Sequence, residues 1–160
     1  MCYTGSSEKA SWLKTDLGID NAFNYKTQEV ETTLKIGAPY GVDIFIDAVG
    51  GGFQSSILHK MNLRGRICIL GSLGMYNNPI EVPSVPASDM DIALKELTIS
   101  GFNIYRYWDK VQEALDQLTD WYEEGQIQTH EEIIEGIENM PTVFMDQMDG
   151  KYHGKLTVRI

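Results

Sequence analysis

The 160-residue sequence has few cysteines, no metal-ligand spacing and no long apolar run. Cys2 and Cys68 stand inside apparent strands, and we interpret them as reduced core residues of a cytoplasmic protein. No CxxC or HExxH pattern occurs, and the three histidines are scattered, so no zinc site is expected. No apolar run approaches the roughly 20 residues of a membrane span, and the amino terminus lacks a signal-peptide pattern.

Positive charge is also scarce, with 13 basic against 23 acidic side chains and a formal net charge of −10 at pH 7. Such a field opposes binding to nucleic acid and to anionic membranes, because both require clustered positive charge. Hydrophobic residues make up 42% of the chain, which argues against disorder and allows a packed core. We therefore expect a folded domain with neither nucleic acid nor membrane as its partner.

The central part of the chain has the pattern of one βαβ crossover. Apolar runs at 42–49 and 67–70 each end in glycine, and a helix is predicted between them at 53–63. Asp109 is predicted to open a later helix with Gln112 as its capping-box partner. The remaining pattern predicts strands at 2–4, 22–25, 97–102 and 154–160, and helices at 8–16, 30–36 and 139–148. This alternation predicts an α/β fold with a parallel sheet.

Three features near predicted strand ends each have two interpretations. The glycines at 50–52 either make a tight turn or allow a ligand close to the backbone. Lys9 follows a strand that ends without an acidic residue. It is either a solvated helix residue or a cation for a 2′-phosphate, which would favour NADP over NAD. Tyr76 either anchors a loop or donates a proton or hydrogen bond to a developing oxyanion.

A series of short segments resembles the zinc-independent medium-chain reductases of the prostaglandin reductase type, which include leukotriene B4 dehydrogenases and 2-alkenal reductases. No single segment is strong, but together they follow the family's order over essentially the whole chain. The segments are 5–9 (GSSEK), 23–27 (FNYKT), 49–51 (VGG), 65–67 (GRI), 71–72 (GS), 76–77 (YN), 105–106 (YR), 134–141 (IEGIENMP) and 154–155 (GK).

The resemblance implies an NADPH-dependent reductase of the carbon–carbon double bond in α,β-unsaturated ketones and aldehydes. Family substrates include 15-oxo-prostaglandins and lipid alkenals, and no metal is used. Hydride passes from the nicotinamide to the β-carbon, and the resulting enolate is stabilised and then protonated. A homodimer is compatible with this family. A quinone oxidoreductase relative and a non-catalytic binding module derived from such a reductase are the alternatives.

The resemblance also implies roles for individual residues. Tyr76 would donate a hydrogen bond to the substrate carbonyl or enolate, Lys9 would hold the 2′-phosphate, and Tyr25 would pack near the adenosine. The residues that would line the cofactor are Ala48, Leu70, Gly71, Ser72, Leu73, Gly74, Met75, Tyr76, Phe102, Asn103, Ile104 and Tyr152. Ala48 and Tyr152 stand where the family often has asparagine, so each removes a polar contact that the family would supply.

The family's first strand, its AxxGxxG loop and its GroES-like catalytic domain are not found within these 160 residues. We therefore expect a Rossmann-like parallel sheet that lacks its first strand at 1–125. A short C-terminal tail at 126–160 would belong to the family's catalytic domain. In the strand order 3-2-1-4-5-6, the first strand lies between the second and the fourth. The sheet should therefore have a gap between strands 2–4 and 42–49, and these residues alone should be inactive.

Overall fold

The computed structural model describes residues 1–50, 52–72 and 88–160, in which strands and helices alternate. The strands are β1 (Cys2–Thr4), β2 (Ala22–Asn24), β3 (Val42–Asp47), β4 (Met61–Ile69), β5 (Thr98–Gly101), β6 (Glu131–Glu135) and β7 (Lys155–Arg159). The α-helices are α1 (Ser7–Thr15), α2 (Val30–Gly37), α3 (Gly52–Leu58), α4 (Ser88–Leu94), α5 (Val111–Glu123) and α6 (Met140–Met148). Short 3₁₀ segments, Ile104–Lys110 and Ile137–Asn139, precede α5 and α6.

The described strands form three separate parallel sheets. One pairs β1 with β2, the second has the order β3-β4-β5, and the third pairs β6 with β7. The predicted parallel α/β fold is therefore confirmed. Within the described residues no strand lies between β1 and β3, in agreement with the predicted gap.

One hydrophobic core joins the first two sheets. Its buried members come from α2, α3 and β4, and Tyr3 of β1 packs against them. The Tyr3 hydroxyl lies 2.7 Å from Thr33 Oγ1 in α2, and the Tyr3 ring lies 4.9 Å from the ring of Phe53 in α3. The helices α2 and α3 therefore hold β1 beside β3 although the two strands do not pair. The fully enclosed members are Leu34, Ile57, Leu58, Met61 and Ile67.

Local sequence signals explain how α1 begins. Ser6 has an extended backbone, and its hydroxyl accepts a hydrogen bond from the Lys9 amide at 3.1 Å. Ser6 is therefore the N-cap of α1, and it satisfies one of the free amides of the first turn. Gly18 follows the helix with a φ of +65°, a conformation that favours glycine.

Two predicted helix boundaries are wrong. The helix α3 ends at Leu58, and Met61 begins β4, where it pairs with Val42 across an irregular register. Met61 is buried in β4. Its sequence position is compatible with the buried face of a helix as well as with a strand, which explains the wrong boundary.

The longer helix α5 begins at Val111 instead of Asp109, because the preceding 3₁₀ segment already occupies that position. Gln112 does not cap the helix: its side-chain amide donates to Asp116 at 2.8 Å, one turn further on. The Asn103 side chain accepts from the Tyr105 amide and starts the 3₁₀ segment, which displaces the predicted capping box.

The C-terminal elements pack against α1 through aromatic rings. The Trp12 ring lies 5.4 Å from the ring of His130 and 6.4 Å from the ring of His153. In α6 only Val143 is buried, while Phe144 is 61% exposed. The domain boundary between residues 125 and 126 stays a prediction.

Candidate functional site

The turns that follow β3 and β4 meet at the carboxyl edge of the sheet. Asp47 Oδ1 accepts hydrogen bonds from the amides of Val49 and Gly50, both at 2.9 Å. Gly50 has a φ of +72°, and a Cβ atom placed on it would lie 3.4 Å from Ser72 Cβ. The two glycine turns therefore adjoin at the strand ends. The sequence analysis did not assign Asp47 to the site. An acidic residue at the end of an apolar strand was the sequence feature that could have indicated it.

A cleft of about 480 Å³ lies between the turn after β4 and the segment after β5. Five of its lining residues were predicted to contact a cofactor: Leu70, Gly71, Ser72, Phe102 and Asn103. The structure therefore brings two distant predicted segments to one cleft.

The same cleft is also lined by Arg106 and Tyr107, which sequence reasoning did not assign to the site. The Tyr107 ring stacks on Phe102 at 5.3 Å, which closes one wall. Arg106 supplies a permanent positive charge to this otherwise mostly uncharged cleft. Its available signals were its place in the family segment 105–106 and its proximity to Asn103 in sequence. Ile104, by contrast, is 55% exposed and is not among the residues that line the cleft.

A second group of predicted residues gathers at the carboxyl ends of β1 and β2. Gly5 lies beside Lys26 and Tyr25: a Cβ atom on Gly5 would be 3.3 Å from Lys26 Cε and 3.6 Å from the Tyr25 hydroxyl. Lys9 stands one turn into α1, directly after the Ser6 cap. Lys26 was quoted in the sequence pattern but not assigned a role, although it follows the end of β2.

The ammonium group of Lys9 is partly buried and donates to the Gly150 carbonyl at 2.6 Å. Burial is the main cause that lowers the pKa of Lys9, and the neighbouring charge of Lys26 lowers it further. The carboxylates of Glu132 and Glu8 act in the opposite direction. The charges of Lys9 and Lys26 therefore repel each other at this end of the sheet. A bound anion would stabilise the protonated form of both lysines.

The remaining predicted residues are not brought to these two groups by the described structure. Tyr152 lies in the segment beside Gly150 and is not among the lining residues of the cleft after β4 and β5. Tyr76, the predicted hydrogen-bond donor, lies outside the described residues, as do Leu73, Gly74 and Met75. Among residues 1–50, 52–72 and 88–160, no group of three or more metal-ligating side chains is close enough to hold a metal ion. None of the described helices is long and apolar enough to cross a membrane.

Parallel strands with glycine turns and clefts at their carboxyl ends define a nucleotide-binding type of α/β domain. Residues 1–120 match the zinc-binding dehydrogenase family, and the chain belongs to that family. It is 42% identical over 157 residues to prostaglandin reductase 1 of Bos taurus, a match that covers 97% of this chain and 47% of that protein. Prostaglandin reductase 1 of Sus scrofa is 43% identical over the same length and coverage.

Among solved structures, CurA from Vibrio vulnificus in complex with NADPH aligns with a TM-score of 0.87 and 27% identity. The alignment covers 98% of this chain and 48% of CurA. The resemblance to prostaglandin reductases is therefore confirmed, and the chain spans about half the length of these relatives.

Proposed function

We propose that this chain supplies the cofactor-binding part of an NADP(H)-dependent reductase that acts on the C=C bond of α,β-unsaturated ketones and aldehydes. The similarity to prostaglandin reductase 1 over 97% of the chain supports the reaction class. The substrates we propose are 15-oxo-prostaglandins and 2-alkenals. The cysteines of the described residues are free, which supports a cytoplasmic location.

The single observation that carries the cofactor preference is the electrostatic interaction between Lys9 and Lys26 near the end of β1. The strand β1 ends in Thr4 and Gly5, so no carboxylate stands where an NAD-binding fold places its ribose ligand. Lys26 instead lies beside Gly5, which has no side chain, and its charge lowers the pKa of the nearby Lys9. These groups fit a 2′-phosphate, which they would hold by charge-assisted hydrogen bonds.

The cleft after β4 and β5 would hold the nicotinamide end of NADP(H), which supplies hydride when bound. Leu70 and Phe102 are among its lining residues and would flank a planar ring. The Lys9 hydrogen bond to Gly150 joins the two proposed segments, 1–125 and 126–160, as do the ring contacts of Trp12 with His130 and His153.

The 2′-phosphate site can be tested without the rest of the cofactor. Adenosine 2′,5′-bisphosphate and 5′-AMP are titrated into the 160-residue chain, and binding is followed by NMR chemical shifts. Lys9→Ala and Lys26→Ala should each weaken the bisphosphate about tenfold, because a charge-assisted hydrogen bond contributes roughly 1.5–3 kcal/mol. Lys14→Ala, in the same helix, is the matched control. Equal weakening of both nucleotides would remove the lysines from this role.

Tyr76 is proposed as the hydrogen-bond donor to the substrate oxygen. The test replaces the aligned 157 residues of bovine prostaglandin reductase 1 with this chain and follows NADPH oxidation with a 2-alkenal. Tyr76→Phe should lower kcat by roughly 10²-fold with little change in KM, since the bond forms mainly in the transition state. Tyr40→Phe, at a side chain that is 93% exposed, is the control. An unchanged kcat would refute the assignment.

A further inference from the structure

Among the described residues that line the cleft after β4 and β5, Arg106 is the only charged one. Its backbone N–H donates to the Asn103 carbonyl at 3.1 Å, so the first turn of the 3₁₀ segment fixes its backbone at the cleft. Within residues 1–50, 52–72 and 88–160, its side chain is exposed and forms neither an ion pair nor a hydrogen bond. The cleft therefore contains a cation that no described carboxylate neutralises.

The other polar side chains of the cleft also offer hydrogen-bond donors. Asn103 Oδ1 accepts from the Tyr105 amide at 3.1 Å, which leaves the side-chain NH₂ group of Asn103 to donate elsewhere. Ser72 and Tyr107 add hydroxyl groups, and none of the described lining residues carries a carboxylate. A guanidinium among further donors suits an anion, and its planar fork matches a carboxylate through two parallel hydrogen bonds.

The size of the cleft limits how far such an anion lies from the reacting bond. A compact space of 480 Å³ spans only about 10 Å, so a carboxylate on Arg106 would lie close to a nicotinamide ring flanked by Leu70 and Phe102. An enone whose carboxylate is a few bonds from its double bond fits this span. The carboxylate of a 15-oxo-prostaglandin, which a ring and a long chain separate from the enone, does not.

We propose that Arg106 binds the carboxylate of the substrate, and that the cleft accepts short unsaturated oxo acids of the 4-oxo-2-alkenoate type. This proposal rests on the proposed reductase function and names a substrate class for the same site. The guanidinium would hold the acid with its double bond over the nicotinamide, and the Asn103 NH₂ group would supply a further hydrogen bond.

The reaction at this substrate balances without a further co-reactant. The alkene carbon β to the ketone, which carries the carboxylate, receives the hydride with its electron pair from NADPH, which becomes NADP⁺. The electrons of the C=C bond pass to the ketone oxygen as an enolate, and the α-carbon then takes a proton from solvent. The product is a saturated 4-oxo acid whose carboxylate is unchanged.

The first test measures substrate choice in the chimera with bovine prostaglandin reductase 1. NADPH oxidation is followed with 4-oxo-4-phenyl-2-butenoate, with its methyl ester and with a 2-alkenal. Arg106→Met removes the guanidinium but keeps an aliphatic stem. Lys110→Met is the matched control, because Lys110 is an exposed cation of the same 3₁₀ segment and is not among the residues that line the cleft.

The measured quantity is the ratio of kcat/KM for the acid to kcat/KM for the ester, because comparing this ratio between variants cancels the different reactivities of the two compounds. Arg106→Met should lower the ratio at least tenfold, since it removes a charge-assisted pair. Arg106→Lys, which keeps the charge but loses the planar fork, should restore part of it. Lys110→Met should leave the ratio unchanged.

The second test needs no turnover and therefore separates this proposal from the proposed function. The saturated acid 4-oxo-4-phenylbutanoate and its methyl ester are titrated into the ¹⁵N-labelled 160-residue chain, and NMR follows the Arg106 Nε–H and Asn103 NH₂ signals. The acid should shift both signals saturably, and the ester should bind at least tenfold more weakly. Arg106→Met should bind the acid as weakly as the ester, with its other amide signals unmoved as evidence of folding.

Four results would overturn the assignment. An unchanged ratio in Arg106→Met would show that the arginine does not contact the carboxylate. Equal losses for acid and ester, with a higher KM for NADPH, would show that it binds the diphosphate of the cofactor. A similar fall of the ratio in Lys110→Met would show a general field effect. A chimera that reduces the 2-alkenal while the chain binds no saturated acid would leave the proposed function standing and refute this site.

The converse result also separates the two proposals. If the saturated acid binds through Arg106 but the chimera does not reduce the 2-alkenal, the carboxylate site is supported and the proposed function is refuted.

Discussion

Gly41, at the entrance to β3, provides a sharp test of the packing between β3 and β4. Its φ is +91°, and a Cβ atom placed there would overlap Asn62 Oδ1 and lie 2.8 Å from Asn62 Cγ. The Asn62 side chain donates to Asp43 Oδ1 at 2.8 Å. Gly41→Ala must therefore adopt a strained backbone and also displace Asn62 from this hydrogen bond.

The two costs can be estimated separately. A left-handed conformation costs an alanine about 1–2 kcal/mol relative to its preferred regions. Loss of the exposed hydrogen bond between Asn62 and Asp43 adds roughly 0.5–1 kcal/mol. Gly18→Ala is the matched control, because Gly18 has a φ of +65° and a Cβ atom placed on it would have no other atom within 4 Å. The free energy of unfolding should therefore fall by about 1 kcal/mol more for Gly41→Ala than for Gly18→Ala.

Urea denaturation followed by far-UV circular dichroism measures both variants. In an Asn62→Ala background the overlap and the hydrogen bond are already gone, so Gly41→Ala should cost no more than Gly18→Ala. Equal losses for the two glycine variants in the natural background, within about 0.5 kcal/mol, would refute the described contact between Gly41 and Asn62.

Three further changes test other contacts. Ser6→Ala removes the N-cap of α1 and should lower the free energy of unfolding by about 1 kcal/mol in urea denaturation; no change would refute the cap. Burial raises the pKa of Tyr3 above its usual value of 10.0. The unfolded chain therefore loses the Tyr3 proton at a lower pH than the folded chain, so the free energy of unfolding should fall as pH rises above 10. Tyr3→Phe should remove this pH dependence, which alkaline unfolding curves measure. The same variant also loses the hydrogen bond to Thr33. The hydrogen bond from Lys95 chiefly lowers the pKa of Asp91 below its usual 3.8. This contribution to the free energy of unfolding is present above pH 3.8 and is lost as pH falls through the folded-state pKa of Asp91. In Asp91→Asn the thermal unfolding midpoint should therefore fall less steeply with decreasing pH in this acidic range.

The sequence predicted most of the fold because its local signals agree with each other. The Ser6 cap, the glycine that follows α1 and the glycine-terminated runs around β3 and β4 all act within a few residues. The gap between β1 and β3 also followed from strand order, because a parallel sheet of this type has a fixed sequence of neighbours. Errors arose where an apolar residue fits both the helical and the strand pattern of hydrophobic residues, as Met61 does.

The candidate site was harder to predict because its contacts join distant parts of the chain. The adjacency of Gly50 and Ser72 could be expected from two strand ends, but the contact of Lys9 with Gly150 spans 141 residues. Arg106 belongs to a segment that resembles the family, but its sequence does not indicate that it lines a cleft, since a lone basic residue is usually solvated. The burial of Asp47, which is 2% exposed, depends on tertiary packing and cannot be read from a strand pattern.

The open edges of β1 and β3 also determine how the protein behaves as a colloid. Two copies could join edge to edge, and the exposed isoleucines of β3 would reinforce such contacts. The net charge of −10 opposes this approach by mutual repulsion. That repulsion reaches about 10 Å at 0.1 M salt but only about 3 Å at 1 M. High salt and pH values near the isoelectric point of 4.6 therefore favour precipitation, so purification steps suit dilute, low-salt and neutral buffers.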